Sequence, residues 1–169
     1  MSQYDLKRLN AVVIDDSPFM LRLLKMILKS MGMNDVLCFR DPTTALYEIK
    51  ARQPHLVITD MLMPRLDGAR LTRLMREESA PVCFTPVLVL SGFTDKAHVL
   101  QASNAGAHYV LTKPISVEAL HRRVVNLIED RRPFVRTPAY IGPERRIVTR
   151  DDFEPERRGP ASDTDVLYI

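Results

Sequence analysis

The chain has 169 residues, enough for one domain with a hydrophobic core and an appendage but hardly enough for two domains. Its formal net charge of +3 is too mild to indicate a particular partner from bulk electrostatics. No apolar run approaches the length of about 18 residues that crosses a membrane, and the two cysteines suggest neither a zinc site nor a disulfide framework. We therefore expect a soluble, cytoplasmic protein without membrane insertion.

Short apolar runs alternate with segments of helical periodicity from Ala11 to about Asp130, which is the pattern of strand–helix units around a parallel sheet. The predicted strands are residues 11–14, 36–39, 56–60, 87–91 and 109–111. A predicted helix follows each strand, and the first begins at Pro18 behind a Ser17 cap. The fold class predicted from this pattern is α/β, with helices wound around a parallel sheet.

The periodicity stops after Arg131, where apolar residues become sparse and five of the 12 prolines lie. From this point every basic residue is an arginine, and there are eight of them. Such a segment cannot bury enough apolar surface to fold alone. We therefore expect a domain over residues 9–130 and a tail over residues 131–169 that is disordered until it binds a ligand.

Polar residues stand where the predicted strands end. Asp15 and Asp16 follow the first strand, Asp60 ends the third, Ser91 ends the fourth and Lys113 follows the fifth. The carboxyl ends of parallel strands meet at one crevice, so three carboxylates would converge there and would need a hard cation such as Mg²⁺. Any one of these residues could simply solvate a loop, but five in the correct strand order favour a site for chemistry.

A carboxylate beside Mg²⁺, with a hydroxyl and an ammonium aimed at the same volume, suits phosphoryl transfer onto the carboxylate. Asp60 is the candidate nucleophile. Ser91 would hydrogen-bond one phosphoryl oxygen, and Lys113 would neutralise another.

The segments that carry these residues resemble the receiver domain of two-component response regulators, the CheY-like fold. They are residues 13–17, 59–68, 90–92 and 112–114. The resemblance covers about Leu9 to Asp130 and implies a doubly wound, five-stranded parallel sheet of order 2-1-3-4-5, as in flavodoxin. It also implies that Asp60 is the phospho-acceptor, that Asp15 and Asp16 are an acidic Mg²⁺ pair, and that Leu62 is a ligand through its backbone carbonyl. A histidine kinase is then a candidate partner, and the chain is a signalling module rather than an enzyme.

One position departs from the receiver pattern. Receivers usually carry an aromatic switch residue three positions before the lysine, and here that position is Val110. Tyr109 lies one place earlier, so on a strand its side chain should face the opposite side of the sheet. This departure puts the usual coupling between phosphorylation and output in doubt.

The tail contains a repeated phrase. Pro143-Glu144-Arg145-Arg146 recurs 12 residues later as Pro155-Glu156-Arg157-Arg158, and an aromatic residue lies just upstream of each copy. Four interpretations compete: a solvated linker, nonspecific nucleic-acid binding, recognition of a compact planar ligand, and docking on a partner groove without any nucleotide. The repeat disfavours the linker, and the acidic residues among the arginines disfavour DNA or RNA.

A guanine nucleotide suits this composition. Guanine offers O6 and N7 to an arginine fork, its N1 and N2 protons to a carboxylate, and a flat face for stacking. A ligand with two guanines and two phosphates, such as cyclic di-GMP, would also explain why the phrase occurs twice.

The tail is similar to the arginine-rich extension of the Cle proteins, CheY-like regulators that bind cyclic di-GMP and act on the bacterial flagellar motor. The candidate nucleotide-binding residues are Arg136, Tyr140, Arg145, Arg146, Asp152, Arg157 and Arg158. The resemblance implies a monomer that engages the flagellar motor switch protein, with recruitment to the flagellated pole. The main alternative is an ordinary phosphorylation-driven response regulator whose tail is incidental, and a structural adaptor without either ligand is the third.

Overall fold

The computed structural model describes residues 6–92 and 96–145, together with the backbone of a short strand near the C-terminus. The central sheet contains β1 (Asn10–Ile14), β2 (Asp35–Phe39), β3 (Leu56–Asp60), β4 (Val87–Ser91) and β5 (Tyr109–Thr112). The helices are α1 (Pro18–Ser30), α2 (Pro42–Arg52), α3 (Gly68–Glu77), α4 (Lys96–Asn104) and α5 (Val117–Glu129). All neighbouring strands are parallel, in the order β2-β1-β3-β4-β5, which confirms the predicted fold class.

Four of the helices begin at a side-chain cap. Ser17, Asp41, Asp67 and Ser116 each accept a hydrogen bond from the backbone N–H three residues later. Each cap satisfies one of the open N–H groups at a helix start and contributes about 1 kcal/mol. These caps define where α1, α2, α3 and α5 start beside the carboxyl ends of the strands.

The sheet is covered on both faces, which explains its continuous apolar strands. Alternate residues of β1 belong to different hydrophobic clusters: Ala11 and Val13 pack with α1 and α5, while Val12 and Ile14 pack with α2 and α3. β3 and β4 are buried along their whole length. Their last residues, Asp60 and Ser91, are therefore buried polar groups at the edge of a closed core.

The structure differs from the expected disordered tail in residues 134–143. These residues form an antiparallel hairpin of β6 (Phe134–Thr137) and β7 (Tyr140–Pro143). A further strand, β8 (Asp165–Leu167), pairs with the other edge of β6. The start of the predicted tail is thus an ordered part of the protein.

The hairpin is ordered because it buries its apolar residues against the α/β domain rather than within itself. The Phe134 side chain is 1% exposed, and its ring lies edge-on to Phe84 with ring centroids 5.2 Å apart. The guanidinium carbon of Arg76 lies 5.1 Å from the Phe134 ring centroid. Composition predicted that the tail could not fold alone, but it did not reveal the hydrophobic site that the tail would occupy.

Two glycines allow the backbones of the hairpin and the domain to approach closely. Gly106, with φ of +93°, precedes β5, and a Cβ at this position would lie 2.3 Å from the carbonyl oxygen of Ile141. A Cβ at Gly142 would lie 2.8 Å from the Cα of Gly106. Side chains at either position would push β7 away from the loop before β5.

We predict that Phe134→Ala in the full chain lowers the free energy of unfolding by about 3–5 kcal/mol, because it leaves a cavity between Phe84 and Arg76. Urea denaturation followed by circular dichroism measures this change. Phe19→Ala is the matched control, since Phe19 is 71% exposed and its removal should cost less than about 0.5 kcal/mol. Equal effects of the two substitutions would show that the hairpin does not depend on Phe134.

A pH dependence follows from His108, which lies beneath the hairpin. Burial, together with the nearby Arg76 guanidinium, lowers the pKa of His108 from 6.5 to about 3. Its Nδ1 accepts hydrogen bonds from the Val87 backbone N–H and from Arg76, so the folded protein holds the neutral imidazole. The unfolded chain binds a proton at this residue below pH 6.5, whereas the folded chain does not. The contribution of His108 to the free energy of unfolding is therefore complete above pH 6.5, the ordinary pKa of histidine, and is lost as the pH falls towards 3.

We predict that the free energy of unfolding falls between pH 6 and pH 4 with a contribution of about 1.4 kcal/mol per pH unit from His108. His108→Asn retains an acceptor at the δ position and does not titrate, so the variant should show a correspondingly shallower slope. Urea denaturation at a series of pH values gives both slopes. Identical slopes for the two proteins would contradict a His108 that stays neutral in the folded protein.

Candidate functional site: the acidic pocket and the docked hairpin

The predicted polar residues meet at the carboxyl edge of the sheet. One carboxylate oxygen from each of Asp15, Asp16 and Asp60 lies within 4.8 Å of the others. Asp15 and Asp60 are buried, whereas Asp16 is exposed to solvent. Ser91 is buried at the end of β4, the strand next to β3. The structure thus brings together the acidic residues that the sequence assigned to one crevice.

Lys113 supplies positive charge to this pocket. Its Nζ lies 2.7 Å from Asp60 Oδ1 and 3.1 Å from Asp15 Oδ2. The Lys113 backbone N–H donates a 2.7 Å hydrogen bond to the carbonyl oxygen of Ser91, which fixes the start of the loop after β5. One ammonium therefore bridges two carboxylates from different strands.

The loop after β3 is anchored by two backbone hydrogen bonds of Met61, the residue that follows Asp60. The Met61 N–H donates to the Leu90 carbonyl at 2.7 Å, and the Gly68 N–H donates to the Met61 carbonyl at 2.9 Å. A Cβ at Gly68 would lie only 2.2 Å from the Asp60 carbonyl oxygen. Glycine at this first position of α3 lets the helix start against the end of β3, a role that was not predicted from the sequence.

Burial is the largest influence on the pKa of Asp60. Burial raises the pKa of Asp60, the nearby Asp15 charge acts in the same direction, and the hydrogen bond and charge of Lys113 oppose it, leaving the pKa raised. Burial alone would lower the pKa of Lys113, but its bonds to Asp60 and Asp15 outweigh this and raise it. The pocket therefore contains a firmly protonated ammonium beside a carboxylate of increased basicity.

The donor atoms of this pocket suit a hard divalent cation. Three carboxylates from the ends of two strands offer oxygen ligands only, which is the chemistry that Mg²⁺ prefers. Leu62 lies two residues after Asp60 with its side chain 51% exposed, and its backbone carbonyl stays a predicted further ligand. The residues present fit a Mg²⁺ site held by Asp15, Asp16 and Asp60.

Tyr109 and Val110 face opposite sides of the sheet, as predicted. Tyr109 packs with the cluster that includes α1 and α5, and Val110 packs with the cluster on the other face. The guanidinium carbons of Arg123 and Arg132 each lie 5.2 Å from the Tyr109 ring centroid. Tyr109 thus does not occupy the face that Val110 occupies.

The hairpin brings together two of the predicted nucleotide-binding residues. The Arg145 guanidinium carbon lies 4.2 Å from the Tyr140 ring centroid, and Arg145 Nη1 donates a 2.6 Å hydrogen bond to Asn104 Oδ1. Arg136 is exposed on β6. The other four candidates, Arg146, Asp152, Arg157 and Arg158, lie outside the described residues.

Asn104 and Arg76 were not predicted as members of this region. Asn104 ends α4, and Arg76 lies near the end of α3 with its guanidinium donating to the carbonyl oxygens of Gly106, Cys83 and Thr85. An isolated asparagine or arginine in a helical segment has no pattern that marks it. Only the fold shows that both face the hairpin.

The acidic pocket generates a direct test. We predict that Asp15→Asn and Asp16→Asn each weaken Mg²⁺ binding by about 10-fold or more, because each removes one charged oxygen ligand. Calorimetric titration of MgCl₂ into the full chain measures the affinity. Asp35→Asn, at an exposed carboxylate that begins β2, should have no effect. A loss of affinity in Asp35→Asn equal to that in the other variants would show that the cation binds by surface charge alone.

Comparison with known proteins agrees with the geometry of this pocket. Residues 11–125 match the family model described as the response regulator receiver domain. The chain is 38% identical over 115 residues to Protein PilG of Pseudomonas aeruginosa, a match that covers 66% of this chain and 82% of PilG. Two further curated relatives are longer, and the chain spans about half of their length.

Solved structures of response regulators have the same fold as this chain. A response regulator receiver domain protein from Clostridium thermocellum superposes with a TM-score of 0.65 at 29% identity, covering 72% of this chain and 94% of that one. Chemotaxis protein CheY4 of Vibrio cholerae superposes with a TM-score of 0.66 at 24% identity, covering 70% and 98%, and shows the fold alone. Because the family model spans more than half of the chain and includes the acidic pocket, the protein belongs to the receiver-domain family of response regulators.

Proposed function

We propose that this response regulator binds cyclic di-GMP through its arginine-rich C-terminal segment and then engages a partner, the flagellar motor switch protein, to tune motility and surface attachment. The observation that carries the proposal is the contact of the Arg145 guanidinium with the ring of Tyr140, at the end of a hairpin that is docked on the receiver domain. It supplies an arginine plane and an aromatic ring at the place where the first copy of the repeated phrase begins.

The phosphorylation pocket supplies the second input. Receiver domains bind Mg²⁺ at an acidic pocket and interact with histidine kinases and downstream effectors. In the proposed reaction an Asp60 carboxylate oxygen forms a bond to the phosphorus atom of a phosphohistidine, and the bond from phosphorus to the imidazole nitrogen breaks. Lys113 and Ser91 would then hold the transferred phosphoryl oxygens.

The chemistry of the nucleotide agrees with the hairpin contacts. A guanidinium that lies flat on an aromatic ring presents its other face to a base, and its N–H groups lie in the plane for a phosphate or for guanine O6 and N7. Arg145 is exposed, and its guanidinium carbon lies 4.2 Å from the Tyr140 ring centroid. The second copy of the phrase, with Arg157 and Arg158, would give the same groups to the second half of a twofold-symmetric ligand.

The departure at Val110 supports an input other than phosphorylation alone. Tyr109 faces α1 and α5, so a rotation of its side chain would not alter the opposite face of the sheet, on which Val110 lies. A nucleotide-ordered surface formed by the tail and the receiver would provide the recognition surface instead. The flagellar partner rests on the resemblance of the tail to the Cle proteins.

The alternative function is an ordinary phosphorylation-driven regulator with an incidental tail. The observation that favours it is the complete pocket, in which Lys113 contacts both Asp60 and Asp15. Under this alternative the hairpin is only a stabilising cover over Phe84 and Arg76. The two functions differ in whether the full chain binds a nucleotide.

We predict that lysine in place of Arg145, Arg146, Arg157 and Arg158 weakens cyclic di-GMP binding by at least about 10-fold. The net charge is unchanged, but a lysine cannot make the planar, two-pronged contacts of arginine. Calorimetric titration into the full chain, with GTP and cyclic di-AMP as competitor nucleotides, measures affinity and specificity.

The control carries lysine at four exposed arginines outside the tail, Arg8, Arg22, Arg52 and Arg122, and should bind as the natural chain does. Undiminished binding of cyclic di-GMP by the tail variant would show that the planar, two-pronged contacts of arginine are not required. Absence of cyclic di-GMP binding by the natural chain would leave the phosphorylation-driven alternative.

A further inference from the structure

A polar cleft lies between the hairpin and the C-terminal ends of α3 and α4. Its volume is about 360 Å³, which falls in the range of about 300–1,000 Å³ that is typical of small-molecule sites. Arg73 and Glu77 line it from α3, Asn104 lines it from α4, and residues 137–141 close it from the hairpin. The cleft therefore joins the receiver domain to the segment that carries Tyr140.

The charged side chains on its α3 side are available to a ligand. Arg73 and Glu77 are both exposed, and neither makes a hydrogen bond or ion pair with any residue that the structure describes. Arg76 also borders the cleft, but its guanidinium is buried and bonded to three backbone carbonyl oxygens. The cleft thus offers one free cation and one free anion from neighbouring turns of a helix, within the described part of the chain.

Asn104 and Tyr140 line the cleft, and Arg145, which lies beside the cleft, contacts both of them. Arg145 lies on the Tyr140 ring and is itself exposed, so its outer face can accept a flat base. Asn104 Oδ1 already accepts a hydrogen bond from Arg145, which leaves the Asn104 amide N–H groups to donate elsewhere. A base on Arg145 would lie next to a hydrogen-bond donor fixed at the end of α4.

We propose that this cleft is a guanine subsite of the nucleotide site. Glu77 accepts hydrogen bonds from guanine N1 and N2, the Asn104 amide donates to guanine O6, and Arg73 contacts a phosphate oxygen. The inference rests on the proposed function, because it assigns one base of the cyclic dinucleotide to the receiver domain. It adds residues of α3 and α4 to a site otherwise formed by the tail.

The combination of charges selects this class of ligand. A purely anionic ligand such as inorganic phosphate would gain from Arg73 and Arg145 but would be repelled by Glu77. A guanine nucleotide uses both signs, since its base presents two donors to a carboxylate while its phosphates are anionic. Adenine presents an acceptor at N1 where guanine has a donor, so a carboxylate at this position disfavours adenine.

The test compares cyclic di-GMP and cyclic di-AMP by calorimetric titration into full-length proteins. Glu77→Gln should weaken cyclic di-GMP by about 10-fold, since an exposed charged hydrogen bond of this kind is worth roughly one power of ten in affinity. The affinity of this variant for cyclic di-AMP should not fall, so the ratio of its affinities for cyclic di-GMP and cyclic di-AMP should become smaller. Arg73→Ala should weaken both ligands by similar factors, because it removes a phosphate contact.

Two matched controls lie on other helices. Glu118→Gln on α5 and Arg22→Ala on α1 make the same chemical changes at exposed positions outside the cleft and should leave both affinities unchanged. All four positions are exposed, and thermal unfolding of each variant verifies that the fold is retained.

The outcomes separate this inference from the proposed function. If the natural chain binds cyclic di-GMP and Glu77→Gln and Arg73→Ala bind it equally well, the guanine subsite is wrong and the tail site stands. If Glu118→Gln weakens binding as much as Glu77→Gln, the effect is one of overall charge and the subsite is also wrong. If the natural chain binds no cyclic di-GMP, the proposed function and the subsite are both overturned.

Discussion

The contact between the Arg76 guanidinium and its surroundings holds the receiver domain and the hairpin together. Arg76 is 1% exposed and donates hydrogen bonds to three backbone carbonyl oxygens, at Cys83, Thr85 and Gly106. Burial lowers its pKa to about 10, so the group is still charged at neutral pH. A buried cation is costly unless hydrogen-bond acceptors satisfy its donors. Carbonyl dipoles from two loops provide the partners, and the Phe134 ring provides the cover.

This arrangement places the hairpin at the end of the sheet opposite the acidic pocket. The loops that bind Arg76 precede β4 and β5, whereas Asp60 and Ser91 stand where strands end. Two strands link these regions covalently: β4 runs from the Thr85 loop to Ser91, and β5 follows His108 and leads to Lys113. The four-residue strand β5 spans only about 13 Å.

The acidic pocket could be predicted from sequence because its geometry follows from local rules. Strand ends in a parallel sheet share one edge, so Asp15, Asp60 and Lys113 had to converge once the strands were identified. The opposite orientations of Tyr109 and Val110 follow from the two-residue period of a strand in the same way. The hairpin could not be predicted, because the burial of Phe134 depends on a site formed by Phe84 and Arg76, which are distant from it in sequence. Asn104 was missed for a similar reason: its contact with Arg145 arises only when α4 and the tail are placed together.

The close approach at Gly106 gives a criterion for recognising other proteins built in this way. Any residue with a Cβ at this position would collide with the Ile141 carbonyl, so a docked hairpin requires glycine in the loop before β5. An aromatic residue at the position of Phe134 and an arginine at that of Arg76 are the other two requirements of the junction. A receiver domain that has an arginine-rich tail but lacks these three residues should carry that tail as a free appendage, which separates two structural classes that composition alone would group together.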